Sequence, residues 1–119
     1  MRYMLLIYLD EQALSESERE QCYRDSTQLA HQLDVAGQYV AAAPLQPTAT
    51  ATSVRVRGGK RVVTDGPFAE TKEQLGGYFL IDASDRDEAI AIAARIPMAH
   101  RGTIEVRPVI PIADLPEVR

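Results

Sequence analysis

The sequence predicts an α+β fold in which two helices cover one face of an antiparallel sheet. Two apolar runs, at residues 2–9 and 75–82, have the length and composition of buried strands. Two segments, 15–36 and 84–96, repeat apolar residues at helical spacing. Because 119 residues suit one domain, we expect a single domain over residues 1–119, with 110–119 as a C-terminal tail.

The N-terminal half predicts a strand, a helix and a second strand. The strand at 2–9 ends at acidic residues, and Ser15 follows with Glu18 three positions later, which is the pattern of a capping box. A helix from Ser15 to about Ala36 places Leu29 and Leu33 on one face. The next strand, 38–43, is stopped by a proline.

The C-terminal half predicts a hairpin, a strand, a helix and a last strand. The segments 53–57 and 61–64 flank Gly58-Gly59 and form the hairpin, with Val54 and Val56 pointing inward. A strand at 75–82, a helix from Ser84 that Pro97 ends, and a strand at 103–110 follow. This order is the ferredoxin-like plan βαββαβ with an inserted hairpin.

The pattern of the two apolar strands predicts a homodimer. Two helices cover only one face of a sheet, yet residues 3–9 and 78–81 are apolar on both faces. Soluble monomers avoid an uncovered apolar face of this size. A second copy packed back to back about a two-fold axis would cover it.

Composition excludes several classes of protein. The net charge of −4 argues against a nucleic-acid or membrane-surface protein, since both need a basic patch. The single cysteine, Cys22, excludes a disulfide scaffold, and we expect a cytoplasmic protein. His31 and His100 do not have zinc-site spacing, and no glycine-rich turn opens a helix, so we expect neither a metal nor a cofactor.

The least ordinary stretch is DGPFAETKEQLGG at residues 65–77. Asp65 can accept hydrogen bonds from nearby backbone N–H groups, Gly66 permits a positive φ, and Pro67 fixes its own φ, which together indicate a constrained turn. We expect Phe68 to pin this loop to the core. The residues alone leave two readings open, a structural loop closing the end of the sheet and a ligand site.

This stretch resembles the DGPF family, part of the wider YCII-related group. The resemblance extends from MLLIY near the start through VRVR and TDGPFAETKEQLGGYFLID to IEVRPV near the end. It implies a dimeric α/β barrel, relatives that are isomerase- or lyase-like enzymes acting on small cyclic organic acids, and association with an extracytoplasmic-function sigma factor. Some relatives carry a histidine in the first helix, paired with an aspartate, and this chain has Ser26 close to that position.

Three functions follow as hypotheses, of which the third is a stress-related protein that binds no small ligand. In the first, a cleft between the sheet and the 65–74 loop binds a small anionic molecule, with Asp65 as acid or base in an isomerase- or lyase-like reaction. The ligand would then be bound by the loop and by a cationic strand residue: Gly66, Pro67, Phe68, Thr71, Lys72 and Arg107. In the second, the chain is a non-catalytic accessory or ligand-sensing partner of the sigma factor, docking through the acidic face of the first helix.

Overall fold

A computed structural model describes residues 1–117 and confirms the predicted α+β fold. Its strands are β1 (Arg2–Leu9), β2 (Tyr39–Pro44), β3 (Thr52–Arg57), β4 (Lys60–Asp65), β5 (Gln74–Asp82) and β6 (Thr103–Pro108). Its helices are α1 (Glu16–Val35) and α2 (Arg86–Ala93), with short 3-10 helices at Glu11–Ala13, Thr48–Thr50 and Pro97–His100. The last two residues of the predicted tail, 118 and 119, lie outside the described residues.

The main sheet has the ferredoxin-like strand order. Its four strands run β2-β5-β1-β6, and every neighbouring pair is antiparallel. Leu5 at the middle of β1 lies opposite Phe79 of β5 and Val106 of β6. The sheet is open, with β2 and β6 at its edges, so the predicted barrel needs a second chain and stays a prediction.

The core fills the space between the helices and one face of this sheet. Leu5, Leu33, Ile81 and Ile96 are fully buried, and each contributes about 1.5–3 kcal/mol through its removal from water. Both helices bury the faces that their spacing predicts, α1 through Leu29 and Leu33 and α2 through Ala89, Ile92 and Ala93.

Local sequence sets where the helices begin and end. The Ser15 hydroxyl accepts a hydrogen bond from the Glu18 N–H at 3.2 Å, and the Glu18 carboxylate accepts one from the Ser15 N–H at 3.0 Å. The predicted capping box is therefore confirmed. The α2 cap is Asp85, whose carboxylate accepts from the Glu88 N–H at 2.8 Å, one residue later than the predicted start. Pro97 opens a 3-10 helix after α2 has ended.

The opposite face of the sheet carries an apolar patch that no helix covers, called here the open face. Met4 and Leu6 of β1 and Tyr78 and Leu80 of β5 lie on it and are half-buried by their strand neighbours alone. The interpretation of β1 as a strand buried on both faces is therefore wrong for the single chain. Tyr3 and Leu5 are buried under the helices, whereas the alternate residues are only partly covered.

The inserted hairpin does not pack on the main sheet. β3 and β4 form a separate two-stranded sheet, so the prediction that Val54 and Val56 point inward is wrong. These side chains are 60% and 62% exposed. Alternation in a strand distinguishes its two faces, but a hairpin that extends beyond the core has no buried face for one of them to occupy. In the part of the chain that is described, neither helix has the length and apolarity needed to cross a bilayer.

Candidate functional site

A cavity of about 260 Å³ lies between α1 and the helix-covered face of the sheet. Its walls are mainly apolar and come from β1, α1, β2, β5 and the 3-10 helix after α2. Leu9, Phe79 and Met98 contribute large apolar surfaces, and Tyr39 closes the side formed by β2. The cavity is below the ~300–1,000 Å³ typical of drug-sized ligands, so it suits a compact molecule.

The α1 side of this cavity has a regular pattern. Arg19, Cys22, Ser26 and Ala30 line it, and their spacing of three and four residues places them on one helical face. Polar and apolar side chains therefore alternate along the wall. Sequence reasoning noted Ser26 only as the position where relatives carry histidine, and it missed Arg19 and Tyr39.

Arg19 is the basic group of the cavity, whose other charged lining residue, Glu11, has its carboxylate hydrogen-bonded to Thr48. Arg19 is half-buried, and within residues 1–117 no carboxylate oxygen lies within 4.0 Å of its guanidinium. A guanidinium is always charged and binds carboxylates through paired N–H donors. Its position beside apolar walls therefore favours a ligand that has an apolar body and a carboxylate.

The start of α1 is fixed in place beside Arg19. Arg101, in the loop before β6, forms an ion pair with Glu18. Hydrogen bonds from the Ser15 N–H, and then from Arg101, lower the pKa of Glu18 from 4.5 to about 2. The first turn of the helix is thus held over the cavity by a local cap and by a contact from a distant loop.

Cys22 lies in the cavity wall as a thiol. Burial raises its pKa, and the nearby carboxylates of Asp25 and Glu18 add to this, while Arg101 opposes it. A raised pKa keeps the sulfur protonated near neutral pH, and a nucleophilic cysteine needs the thiolate. The arrangement therefore favours a packing role for Cys22.

The predicted loop site forms a second, more open cleft of about 380 Å³. Four of the seven predicted site residues line it together: Gly66, Pro67, Thr71 and Lys72. The wall opposite the loop comes from Asp10 and the 3-10 helices Glu11–Ala13 and Thr48–Thr50, and the sheet contributes only Gln74, the first residue of β5. Within the described residues, no three His, Cys, Asp or Glu side chains come together as metal ligands.

The other three predicted site residues lie elsewhere. Asp65 is exposed at the end of β4, opposite Thr52, and lines neither cavity. Phe68 is 79% exposed, so the prediction that it anchors the loop to the core is wrong. Its ring lies 5.3 Å from the Arg55 guanidinium instead, because the loop follows the projecting hairpin.

Arg107 belongs to a different end of the sheet. It pairs with Met4 of β1, whereas Gln74, where the loop ends, pairs with Leu9. Five residues along a strand correspond to roughly 17 Å, so the structure does not bring Arg107 to the loop cleft of the same chain.

Glu11 connects the cavity and the cleft, since it lines both. Its carboxylate accepts hydrogen bonds from the Thr48 N–H at 2.9 Å and from the Thr48 hydroxyl. These bonds tie the segment before the hairpin to the segment before α1. Glu11 therefore fixes the wall that separates the two spaces.

Comparison with known proteins identifies the family of this chain and a close relative. The family model of the YCII-related domain matches residues 1–113. An uncharacterized protein of Rhizobium meliloti (strain 1021) is 42% identical over 113 residues, which cover 91% of this chain and 91% of that protein. The match therefore includes both cavities and every strand of the sheet.

Proposed function

This chain belongs to the YCII-related domain family, whose model matches residues 1–113, and from the geometry of the chain itself we propose that it binds a small organic acid in the cavity beneath α1. The observation that carries the proposal is Arg19, a half-buried guanidinium beside apolar walls with no carboxylate within 4.0 Å in residues 1–117. The volume of about 260 Å³ suits a single-ring molecule.

The residues of the cavity divide between the two parts of such a ligand. Leu9, Phe79 and Met98 would contact the apolar ring, and Arg19 would bind the carboxylate. The Ser26 hydroxyl, on the same face of α1, would donate a hydrogen bond to a second oxygen. Catalysis by Asp65 is not part of this proposal, since Asp65 lines neither cavity, and isomerase- or lyase-like chemistry and a sigma-factor association stay predictions.

Benzoate and its neutral counterpart benzyl alcohol test the proposal, with binding measured by backbone amide NMR shifts. We expect Arg19→Gln to weaken benzoate binding by about 10- to 100-fold, the value of a hydrogen bond to a charged group, and to leave benzyl alcohol binding unchanged. Arg24→Gln is the matched control, because Arg24 is exposed on the same helix and donates to Gln21 at 2.8 Å. The proposal would be contradicted if Arg19→Gln and Arg24→Gln weakened benzoate binding equally, or if the amide shifts caused by benzoate did not map to the cavity.

We also propose that the protein is a homodimer through the open face. The chain exposes 8544 Å² to solvent, whereas a compact monomer of this mass exposes about 6,400 Å². Charges at the edge of the open face are balanced, with Arg2 and Asp82 paired at 3.2 Å and with Glu105 and Arg107 on β6. Balanced charge around an apolar centre suits a face that packs on a copy of itself.

Sedimentation equilibrium of Leu80→Glu tests this assembly. We expect this variant to be monomeric, because a carboxylate at the centre of a dry interface loses its hydration without a partner. Ile90→Glu is the control, since Ile90 is also partly exposed but lies on α2, away from the open face. A wild-type protein that sediments as a monomer up to about 100 μM would refute the dimer.

A further inference from the structure

The hairpin, called here the arm and spanning residues 52–65, projects from the domain, and within residues 1–117 the Phe68 ring lies over Arg55 on one of its faces while the valines of the other face stay exposed. Its only tertiary contacts of any extent are between its own strands, β3 and β4. The radius of gyration is 16.0 Å, compared with about 13.5 Å for a compact domain of this length. An isolated two-stranded hairpin is only marginally stable in water, so a surface that covers one face would stabilise the arm.

The register divides the arm into a face with three valines, called here the valine face, and a more basic face. Val54 pairs with Val63, and Val56 lies two residues further along the same side, so these three side chains share one face, together with Arg61 opposite Val56 and Asp65 at the base of the arm. All three are more than half exposed. The other face carries Arg55, Arg57, Lys60 and Val62.

Area is the first argument that a second copy covers the valine face. The open face spans four strands of about six residues, roughly 20 × 20 Å, or about 400 Å² per chain. A standard stable interface buries about 800 Å² per partner. One face of the arm, about 10 × 20 Å, adds roughly 200 Å², and two-fold symmetry doubles this because each chain both gives an arm and receives one.

Charge is the second argument. The arm carries four basic side chains and one acidic side chain, although the whole chain has a net charge of −4. The rest of the molecule therefore holds all of the acidic excess. A second copy offers the arm a surface of opposite net charge, which attracts the arm as the chains approach, and Arg61 on the valine face is the basic side chain that would contact it.

We propose that the arm clasps a second copy of this chain, with Val54, Val56 and Val63 packed on the partner and the basic face directed to solvent. This inference rests on the homodimer proposed above and extends it. The open faces form the centre of the interface, and the two arms complete it.

The test compares two exposed valines that lie on opposite faces of the arm. Val56→Glu puts a carboxylate on the valine face, opposite Arg61, and Val62→Glu puts one on the basic face, opposite Arg55. Both sites are exposed in the single chain and both have an arginine across the ladder, so we expect equal folding and equal melting of the monomer. We expect Val56→Glu to raise the dimer dissociation constant about 10- to 100-fold and Val62→Glu to change it less than about threefold, as measured by sedimentation equilibrium.

The outcomes separate this proposal from the dimer itself. If the wild type dimerises and Val56→Glu and Val62→Glu have the same dimer dissociation constant, the arm proposal is overturned and the dimer through the open face stands. If the wild type is a monomer up to about 100 μM, both proposals fail. Val56→Thr keeps the strand geometry, and a weaker effect in the same direction supports the arm as part of the interface.

Discussion

A methyl group at Gly102 tests whether the close approach of two strands controls the stability of the sheet. Gly102 precedes β6, where Thr103 pairs with Tyr8 of β1. A Cβ at this position would overlap the Tyr8 carbonyl oxygen and lie 3.2 Å from the carbonyl carbon and 3.3 Å from the Leu9 Cα. Because all three atoms belong to the backbone, no side-chain rotation relieves the overlap.

The expected cost of Gly102→Ala lies between about 1 and 3.6 kcal/mol and is centred at about 2–3 kcal/mol. Moving the start of β6 away from β1 introduces about 1–3 kcal/mol of packing strain and weakens about one ladder hydrogen bond, worth about 1 kcal/mol. Alanine has a smaller backbone entropy than glycine in the unfolded chain, and this offsets about 0.4–1 kcal/mol of the cost. For 119 residues, this net loss corresponds to a melting temperature lower by about 8–12 °C.

Gly76→Ala is the matched control. The overlap of the new Cβ would be comparable to the overlap at Gly102. The atom it meets, however, is the Leu9 Cδ2, the end of a side chain that can change rotamer. We expect it to cost less than about 1 kcal/mol. Urea unfolding followed by circular dichroism, at one protein concentration because the chain is proposed to dimerise, gives both values. If Gly102→Ala lowers the free energy of unfolding no more than Gly76→Ala does, the backbone contact at Gly102 does not constrain the sheet.

Three further predictions concern the loop, the cap of α1 and the core. Gly66 has a φ of +105°, so Gly66→Val should cost about 1–3 kcal/mol in urea unfolding, and unchanged stability would show that the turn is not constrained. The pKa of Glu18 is lowered to about 2, so its stabilisation is complete above pH 4.5 and lost as the pH falls toward 2. The melting temperature of Glu18→Gln should therefore fall less than that of the wild type between these values, and parallel curves would contradict this. Leu33→Ala removes a fully buried side chain and should cost about 2–5 kcal/mol by the same urea assay, whereas a cost below about 1 kcal/mol would mean that α1 packs loosely.

The parts of the fold that depend on neighbouring residues are those that the sequence predicts. The capping box at Ser15 and the positive φ of Gly66 are confirmed, since each is set by residues within a few positions of it. The inward orientation of Val54 and the anchoring of Phe68 are wrong, since both depend on where the hairpin lies relative to the sheet. Strand alternation carries no information about that placement.

In the candidate site, too, the sequence predicts local features but not how distant segments are placed. The turn chemistry of Gly66 and Pro67 identifies a loop that does line a cleft. Arg19 and Ser26 are residue types that are common on exposed helix surfaces, so neither one suggests a cavity by itself. They indicate the cavity beneath α1 only once they are placed on the face that this helix turns to the sheet. A sequence search for polar residues on the apolar side of a helix would have found both.

The central position of β1 makes the folding of this chain depend on its far end. β1 precedes the other strands of its sheet in the chain, yet its two neighbours begin at residues 74 and 103. Contacts of such long sequence separation slow folding, because the loop between them must close before any pairing is gained. On a ribosome, the apolar strand Arg2–Leu9 therefore remains unpaired at least until residues 74–82 have emerged, and until then its side chains are exposed to aggregation.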